Sequence, residues 1–454
     1  MASRRLHCML VFVLCLTGCR WTRSDQSSAV TWPAPRADVG SQAELVALQQ
    51  TPAPTDPFVV PSTTVPGQVP ASQIVQPNLA DCLRFALESQ PRLAAQQATL
   101  AAAEDSRRAI EKLHIPASLT PAIPVRLKQA TLGVAAAAAG LDLATRETVY
   151  AVTRTYFAVL YAREQETIAQ GVVERLTAAK DAAAQALKAG DRDATAADVS
   201  RTTVYLRLAE ARRVQASQGV KKAMAALREA CGMGDQVVLE TPAGRLPAVD
   251  PKINRDEIVA AALARRGDLM QVRIFSQLAC LEVDAQSSGF TQRMQTFASG
   301  SNINSVPVPQ GSRSPEYRPG AVPPEMPATL VGSRKERVKH AQTLSARAEA
   351  VVETTRNLIV LEADEALLRF EEASQQARHA KEAAEVGEKL ADELRKDFAA
   401  GLKVKVEEVV TARVLAAQAQ AEYNEYHFKQ IVAMADLERI AAGGFSAGLV
   451  QPSK

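Results

Sequence analysis

The chain has 454 residues, with 53 Lys and Arg against 50 Asp and Glu and a formal net charge of +3. A balance this close excludes a partner held by bulk charge, such as nucleic acid. Aromatic residues make up only 4% while alanine recurs throughout, a composition of long helices rather than thick globular cores.

Arg4 and Arg5 precede an apolar run from Met9 to Leu16. The run is too short to span a bilayer as a helix and has the form of a secretory h-region. It ends in Leu16-Thr17-Gly18-Cys19, which looks like a bacterial lipobox. Residues 1–18 are then expected to be a leader, and Cys19 to be the mature N-terminus, carrying fatty acyl chains of the palmitate kind. The alternative is an ordinary signal peptide with a chance cysteine. Residues 19–77 are rich in proline, glutamine, serine and threonine, with Pro33, Pro52, Pro61, Pro70 and Pro77 among the prolines. Such a segment cannot bury enough apolar surface to fold on its own, and we read it as a disordered tether between lipid and body.

Helical patterning starts at Asn78, a suitable N-cap, and is expected to continue to about Leu113. A break with Pro116, Pro121 and Pro124 follows, which no helix interior tolerates. From Ala130 small or apolar residues recur in steps of four and three through Ala137, Ala144, Ala151, Ala162, Val172, Leu176 and Ala183, and the run ends at Gly190. A return helix is expected from about Thr195 to Cys231, then a Gly- and Pro-rich linker over 232–253.

The cycle then repeats. Residues 81–93, DCLRFALESQPRL, align with 257–269, EIVAAALARRGDL, 176 positions later, and the turn glycines Gly190 and Gly401 lie 211 apart. An irregular Pro-rich insert at 288–337 accounts for the difference. The body thus divides into a first helical repeat, 78–231, and a second, 254–442, with a tail at 443–454.

The clearest seam lies in the second repeat: Ile359, Ala363, Ala366, Phe370, Ala373, Ala377, Ala380, Ala384, Gly387, Ala391, Leu394, Phe398. A strict four-three repeat keeps one face on a partner only if the helices supercoil left-handed, and this seam is about 60 Å long. After the turn Ala400-Gly401-Leu402 a second seam runs Val409, Ala412, Ala416, Ala419, Tyr423, Tyr426, Ala433, Leu437, Ile440, with Gln430 its polar interruption. The expected fold is all-α dominated: long antiparallel coiled-coil hairpins in two tandem repeats.

No enzyme signature stands out. The histidines His7, His114, His340, His379 and His427 are dispersed, and no glycine-rich phosphate loop or nucleophile elbow occurs. Beyond the leader, Cys82, Cys231 and Cys280 form no C-x-x-C and are read as small buried hydrophobes. The run Arg334–His340, RKERVKH, reads either as a solvated helix start or as a contact with anionic headgroups.

The repeat resembles the TolC-like outer-membrane efflux proteins, over roughly Asn78 to Ala442. NLADCLRFALESQPRLAAQQATLAAAEDS is similar to that family's first helix and VYAVTRTYFAVLYAREQ to the Tyr-containing start of its long helix. KAGDRDATAADVSR and AAGLKVKVEEVVTAR resemble its glycine-plus-acid-valine tip turns. The resemblance implies a homotrimer forming a hollow helical barrel through the periplasm, a twelve-stranded outer-membrane barrel, and work with a periplasmic adaptor and an inner-membrane pump, without a bound cofactor. It places Asp198 and Glu408 at the tip acids before valine and Lys403 at a basic position that pairs with a neighbouring hairpin to close the aperture. Phe398 stands at a position often held by tyrosine, Thr411 at one where some members have an acid, and Gly190, Gly401 and Leu402 in the tip turns. The bland alternative is that these are solvated turn residues. One departure is expected: the first connector, His114–Gln129, has three prolines and is too short for two membrane-crossing strands, and prolines interrupt the second. A truncated or absent barrel follows, with lipid on Cys19 as the hold on the membrane. The implied function is passive export through a trimeric tube. The alternatives are a periplasmic coiled-coil lipoprotein with a scaffolding role and no channel, or a decayed paralogue.

Overall fold

The structure is a computed structural model that describes residues 77–113, 122–189, 195–234, 239–240, 242–248, 251–288, 294–298, 301 and 326–449. The leader, the tether with Cys19, and Gly190 lie outside the described residues. In chain order the elements are α1 Leu79–Ser89, α2 Pro91–Glu111, α3 Ile123–Lys188, α4 Ala196–Ala230, α5 Arg255–Arg265, α6 Gly267–Ser288, β1 Met294–Thr296, β2 Thr329–Val331, α7 Arg334–Ala399 and α8 Val406–Ile440.

The helices fall into two series of matching length, 11, 21, 66 and 35 residues and then 11, 22, 66 and 35. Sixty-six residues make a rod of about 100 Å. Four of the eight described helices start at a side-chain cap. The Asn78 side chain accepts the Asp81 N–H at 2.8 Å, the Asn254 side chain accepts that of Asp256 at 3.0 Å, and Thr195 with Asp198 and Ser333 with Glu336 form capping boxes.

The helix expected to run unbroken from Asn78 to about Leu113 is two helices. Gln90 is extended, ψ 116°, because the following Pro91 pushes it out of the helical region. Arg266, 176 positions on, is extended in the same way, ψ 129°. Its follower Gly267 lies so close to α3 that a Cβ there would come within 2.4 Å of the Ala139 carbonyl oxygen. The helix expected from Ala130 instead starts at Ile123, since Pro124 sits in the first turn, where no N–H is needed. The first connector is therefore shorter than His114–Gln129.

The long hairpins pair α3 with α4 and α7 with α8, and α3 also packs on α8, giving the lateral order α4, α3, α8, α7. The upper halves of α3 and α7 are covered by α2 and α6, with α1 and α5 beside them. In the α7 seam every position from Ile359 to Ala391 is buried, Leu394 is half-buried and Phe398 is exposed. The small seam residues bring the backbones together: a Cβ on Gly387 would lie 3.2 Å from Ala416 Cα. The largest core cluster sits where α1, α3, α5, α7 and α8 converge, around Val152, Phe157, Ile359, Met434 and Leu437. A second, around Phe275, Leu278, Phe297 and Leu330, closes the opposite end of α3 and α7 from the tips.

At that end β1 and β2 pair antiparallel, Met294 opposite Val331. Among the described residues they have three residues each, against the roughly 9 to 11 that a membrane-crossing strand needs. After β1, Phe297 and Ala298 are buried, and Ser301 presses its carbonyl oxygen against α3 so closely that a Cβ on Gly133 would meet it at 2.0 Å. Beneath the turn, buried Glu282 binds Arg126, the Gln129 amide and the Ala298 N–H. Within the Arg334–His340 run, Arg337 is buried, with Nε donating to Gln286 and Nη1 to the Gly332 carbonyl, while the other basic residues are exposed. No described helix is long and apolar enough to cross a membrane.

Candidate functional site

The tips of the two hairpins bring together most of the sequence-derived candidates. At the end of α7 the Gly401 N–H donates to the Phe398 carbonyl at 3.1 Å and the Leu402 N–H to that of Asp397 at 3.0 Å. This pair of bonds demands a left-handed residue at the turn, and Gly401 supplies it with φ +71°. The same motif ends α4, where Gly232, φ +70°, and Met233 donate to Glu229 and Arg228. Phe398 and Leu402 flank the turn, 38% and 58% exposed, and Lys403 beside them is exposed.

Asp198 and Glu408 occupy one and the same structural position, third in the return helix. The Asp198 carboxylate accepts the Thr195 N–H at 3.0 Å and the Thr195 hydroxyl at 2.6 Å, which holds it below the usual carboxylate range. Glu408 accepts the Lys405 N–H at 3.4 Å, half of the same device, because lysine has no oxygen to accept in return. Both acids also face the positive end of the helix dipole. Their first task is to start α4 and α8.

The two tips are tied by a residue the sequence reading did not single out. Arg201 on α4 pairs with Glu407 on α8 and lies 3.9 Å from Asp198. One turn deeper, Val173 and Leu176 of α3, Leu206 and Ala209 of α4 and Val410 of α8 form an apolar cluster. Within the second hairpin Arg413 pairs with Glu388, 2.9 Å, and with Asp392, whose carboxyl is drawn below its ordinary range by that bond. Superposing the two return helices pairs Arg201 with Thr411, so the first half carries a base where the second has none.

Near the middle of the rods lies a buried ionic network. Arg266, at the α5–α6 break, holds Asp268 through two bonds, 3.1 and 2.6 Å, and Glu362 of α7 at 2.5 Å. Arg439 of α8 binds Glu362 at 2.6 Å, Asp436 at 2.9 Å and Glu147 of α3 at 3.1 Å, and Arg369 takes the other Asp436 oxygen at 2.9 Å. Burial alone would raise the Glu362 carboxyl, but the two guanidiniums overcome it and hold the group at about 2. The network fixes α3, α7 and α8 to one another at the break. Among the described residues no cluster of His, Cys, Asp or Glu is arranged to hold a metal ion.

No protein-family model matches the sequence, and no curated protein does so. Solved structures do match the fold. A membrane protein from Pseudomonas aeruginosa superposes with a TM-score of 0.63 at 15% identity, covering 83% of this chain and 99% of that one. The outer membrane protein VceC of Vibrio cholerae gives 0.62 at 14%, over 81% and 97%. The open state of the Neisseria gonorrhoeae MtrE outer membrane channel gives 0.63 at 14%, over 81% and 90%.

The chain has the TolC-like channel fold.

At such identities the likeness is one of fold, and within the TolC-like frame the tips are the ends of the two long hairpins. The frame also sets the edges: α4 and α7 are the outermost rods. Val204 and Leu208 on α4 and Leu368, Val386 and Leu390 on α7 are exposed there in the single chain. Residues 368, 386 and 390 share one helical face, being five turns and then one turn apart.

Proposed function

We propose that three copies of this chain close side by side into a periplasmic helical tube that acts as an exit duct at the outer membrane. The observation that carries the reading is the pair of unpartnered edge rods, which expose Val204, Leu208 and Val214 on α4 and Leu368, Val386 and Leu390 on α7, whereas each inner rod exposes one large apolar side chain, Leu187 on α3 and Leu415 on α8. A slender rod gains its stability from neighbours, and α7 of one copy against α4 of the next would cover both faces. The function is passive conduction through a hydrated lumen for small molecules or polypeptides, with no catalytic residue and no cofactor. Lipid on Cys19 holds the assembly to the membrane, several acyl chains together giving stable attachment where one is marginal. The tip residues Gly190, Asp198, Phe398, Gly401, Leu402, Lys403 and Glu408 form the aperture and the face that a periplasmic adaptor and its inner-membrane pump engage. Arg201–Glu407 links neighbouring hairpins within a copy, and Lys403 is left to reach across to the next copy. An exposed pair contributes only about 0.2 to 1 kcal/mol, so the closed tip would be lightly held.

A second reading is favoured by one observation, that the strands among the described residues are three residues each. On it the tube is a periplasmic extension or scaffold with lipid anchoring and no bilayer pore. Ultracentrifugation and planar-bilayer recording of the lipidated protein test both. Trimers that conduct support the duct, trimers that never conduct support the extension, and a stable compact monomer at micromolar concentration overturns the tube altogether.

A further inference from the structure

Cys82 on α1 and Cys231 at the end of α4 stand 149 positions apart in sequence, and both side chains are 0% exposed within the same core cluster. Both are free thiols in the structure, and each bears on the other: the Cys231 thiol, with burial adding to it, pushes the Cys82 thiol up, and the Cys82 thiol pulls the Cys231 thiol down against its own burial. The elements that carry them are fixed at close range. The Gln90 amide donates to the Glu229 and Ala230 carbonyls, both at 3.1 Å, and a Cβ on Gly232 would lie 2.6 Å from Gln90 Cα. The second half offers an internal comparison. Cys82 aligns with Ile258 and the helix-capping Cys231 with the helix-capping Ala441, both buried in that cluster. Where one half carries an ordinary apolar pair at these two positions, the other carries two cysteines.

We propose that Cys82 and Cys231 are the site of a disulfide bond that closes the first helical series into a covalent ring. The bond forms by exchange with a disulfide-bearing oxidant of the cell envelope. The Cys231 thiolate attacks one donor sulfur, making a mixed disulfide and releasing the donor's other sulfur as thiolate. The Cys82 thiolate then attacks the Cys231 sulfur, the Cys82–Cys231 bond forms, and the donor leaves as a dithiol carrying the two electrons and the two protons lost by the protein. Because both sulfurs are shut in the core, exchange precedes its closure, and afterwards the bond is shielded from soluble reductants. Cys280 is exposed on α6 and stays a free thiol.

The proposal uses the envelope location of the proposed function only for its oxidant, and two experiments separate them. Protein isolated from the envelope is denatured in a maleimide without reductant and peptide-mapped. The expected result is labelled Cys280 and one linked Cys82–Cys231 peptide, 2 Da lighter than its reduced parts. In parallel, reduced unfolded protein is refolded with oxidised glutathione. There Cys82–Cys231 must form in preference to any pair with Cys280; absence of that preference overturns the site. Free thiols from the envelope together with correct pairing in vitro would keep the site and refute the envelope location. The double variant Cys82→Ile with Cys231→Ala, which copies the second half, should fold with a midpoint indifferent to reductant. The wild type should lose about 5 °C or more on reduction under denaturing conditions, and an unmoved wild-type midpoint counts against the bond.

Discussion

Replacing Glu362 by glutamine tests whether the buried network holds the rods together by charge. The amide keeps the volume but removes the charge, and of its two arms only one can still accept from a guanidinium. Arg266 keeps its two bonds to Asp268, and Arg439 keeps Asp436 and Glu147, so neither cation is orphaned. The cost therefore follows the titration of Glu362 rather than the larger penalty of a bare buried charge. The folded value of about 2 lies below the ordinary 4.5, so the contribution is complete above 4.5 and fades as pH falls through about 2. At about 1.4 kcal/mol per pH unit the gap contributes about 3 kcal/mol at pH 7 and about 1 kcal/mol at pH 3. Urea unfolding followed by far-ultraviolet circular dichroism at the two pH values measures both. Glu362→Gln should lose about 3 kcal/mol at neutral pH, roughly a 150-fold change in the folded ratio, and less than half of that at pH 3. A variant as stable as wild type at pH 7, or a deficit that does not shrink on acidification, refutes this account.

Three further outcomes follow from the tips. Gly401→Ala has open space for its Cβ but must hold φ +71°, so thermal unfolding should show a loss of about 1 to 2 kcal/mol from backbone strain alone. Thr195→Ala removes the hydroxyl that caps α4 and should cost about 1 kcal/mol, with amide exchange quickening in the first turn of that helix. Arg201→Ala breaks an exposed pair and should cost under about 1 kcal/mol, yet widen the tip; in a conducting trimer its single-channel current should rise, and equally so in high salt for the wild type.

The long rods were readable because their seam repeats strictly against one partner. The α7 positions from Ile359 to Ala391 that the four-three spacing picked out are the ones α8 buries. α3 was read less well, since it contacts α1, α2, α6 and α8 besides α4, and a single seam cannot describe a rod covered on several sides. Val152, Tyr156, Phe157 and Leu160 are buried beyond the predicted stripe for that reason. In α8 the half-buried Tyr423 and Tyr426 flank Asn424, which is buried and donates to the Tyr161 carbonyl. The break at Gln90 was written in Pro91, but a pattern of small residues running through it hid the stop. Contacts between distant residues left no local trace. Glu147 and Arg439 are 292 positions apart, as Cys82 and Cys231 are 149, and nothing in either neighbourhood names its partner. At the tips, the resemblance matched Asp198 with Glu408 as acids before valine, whereas their capping role needed the backbone direction at Thr195 and Lys405. Cys280, read as buried, is exposed, because α6 turns that face away from both long rods.

The end away from the tips decides between duct and extension, and Gly133 is the residue through which it can be examined. Glycine within a helix is ordinarily a weakness, so glycine-to-alanine exchange in α3 should gain about 0.5 to 1 kcal/mol wherever the new methyl group finds room. Gly171 is such a place, with nothing within 4 Å of the added Cβ. Gly133 is the opposite case, because its Cβ would fall 2.0 Å from the Ser301 oxygen, a backbone atom that cannot rotate aside. Relief requires the Phe297–Ser301 turn to lift off α3, exposing Phe297 and loosening the Ala298 N–H from Glu282. Overpacking of this kind costs about 1 to 3 kcal/mol, which outweighs the gain in helix propensity. The two substitutions, identical in chemistry and on one helix, should therefore move the unfolding midpoint in opposite directions, Gly171→Ala upward and Gly133→Ala downward. If both stabilise, Ser301 is not docked on α3, and the close packing of this end of the rods loses its ground.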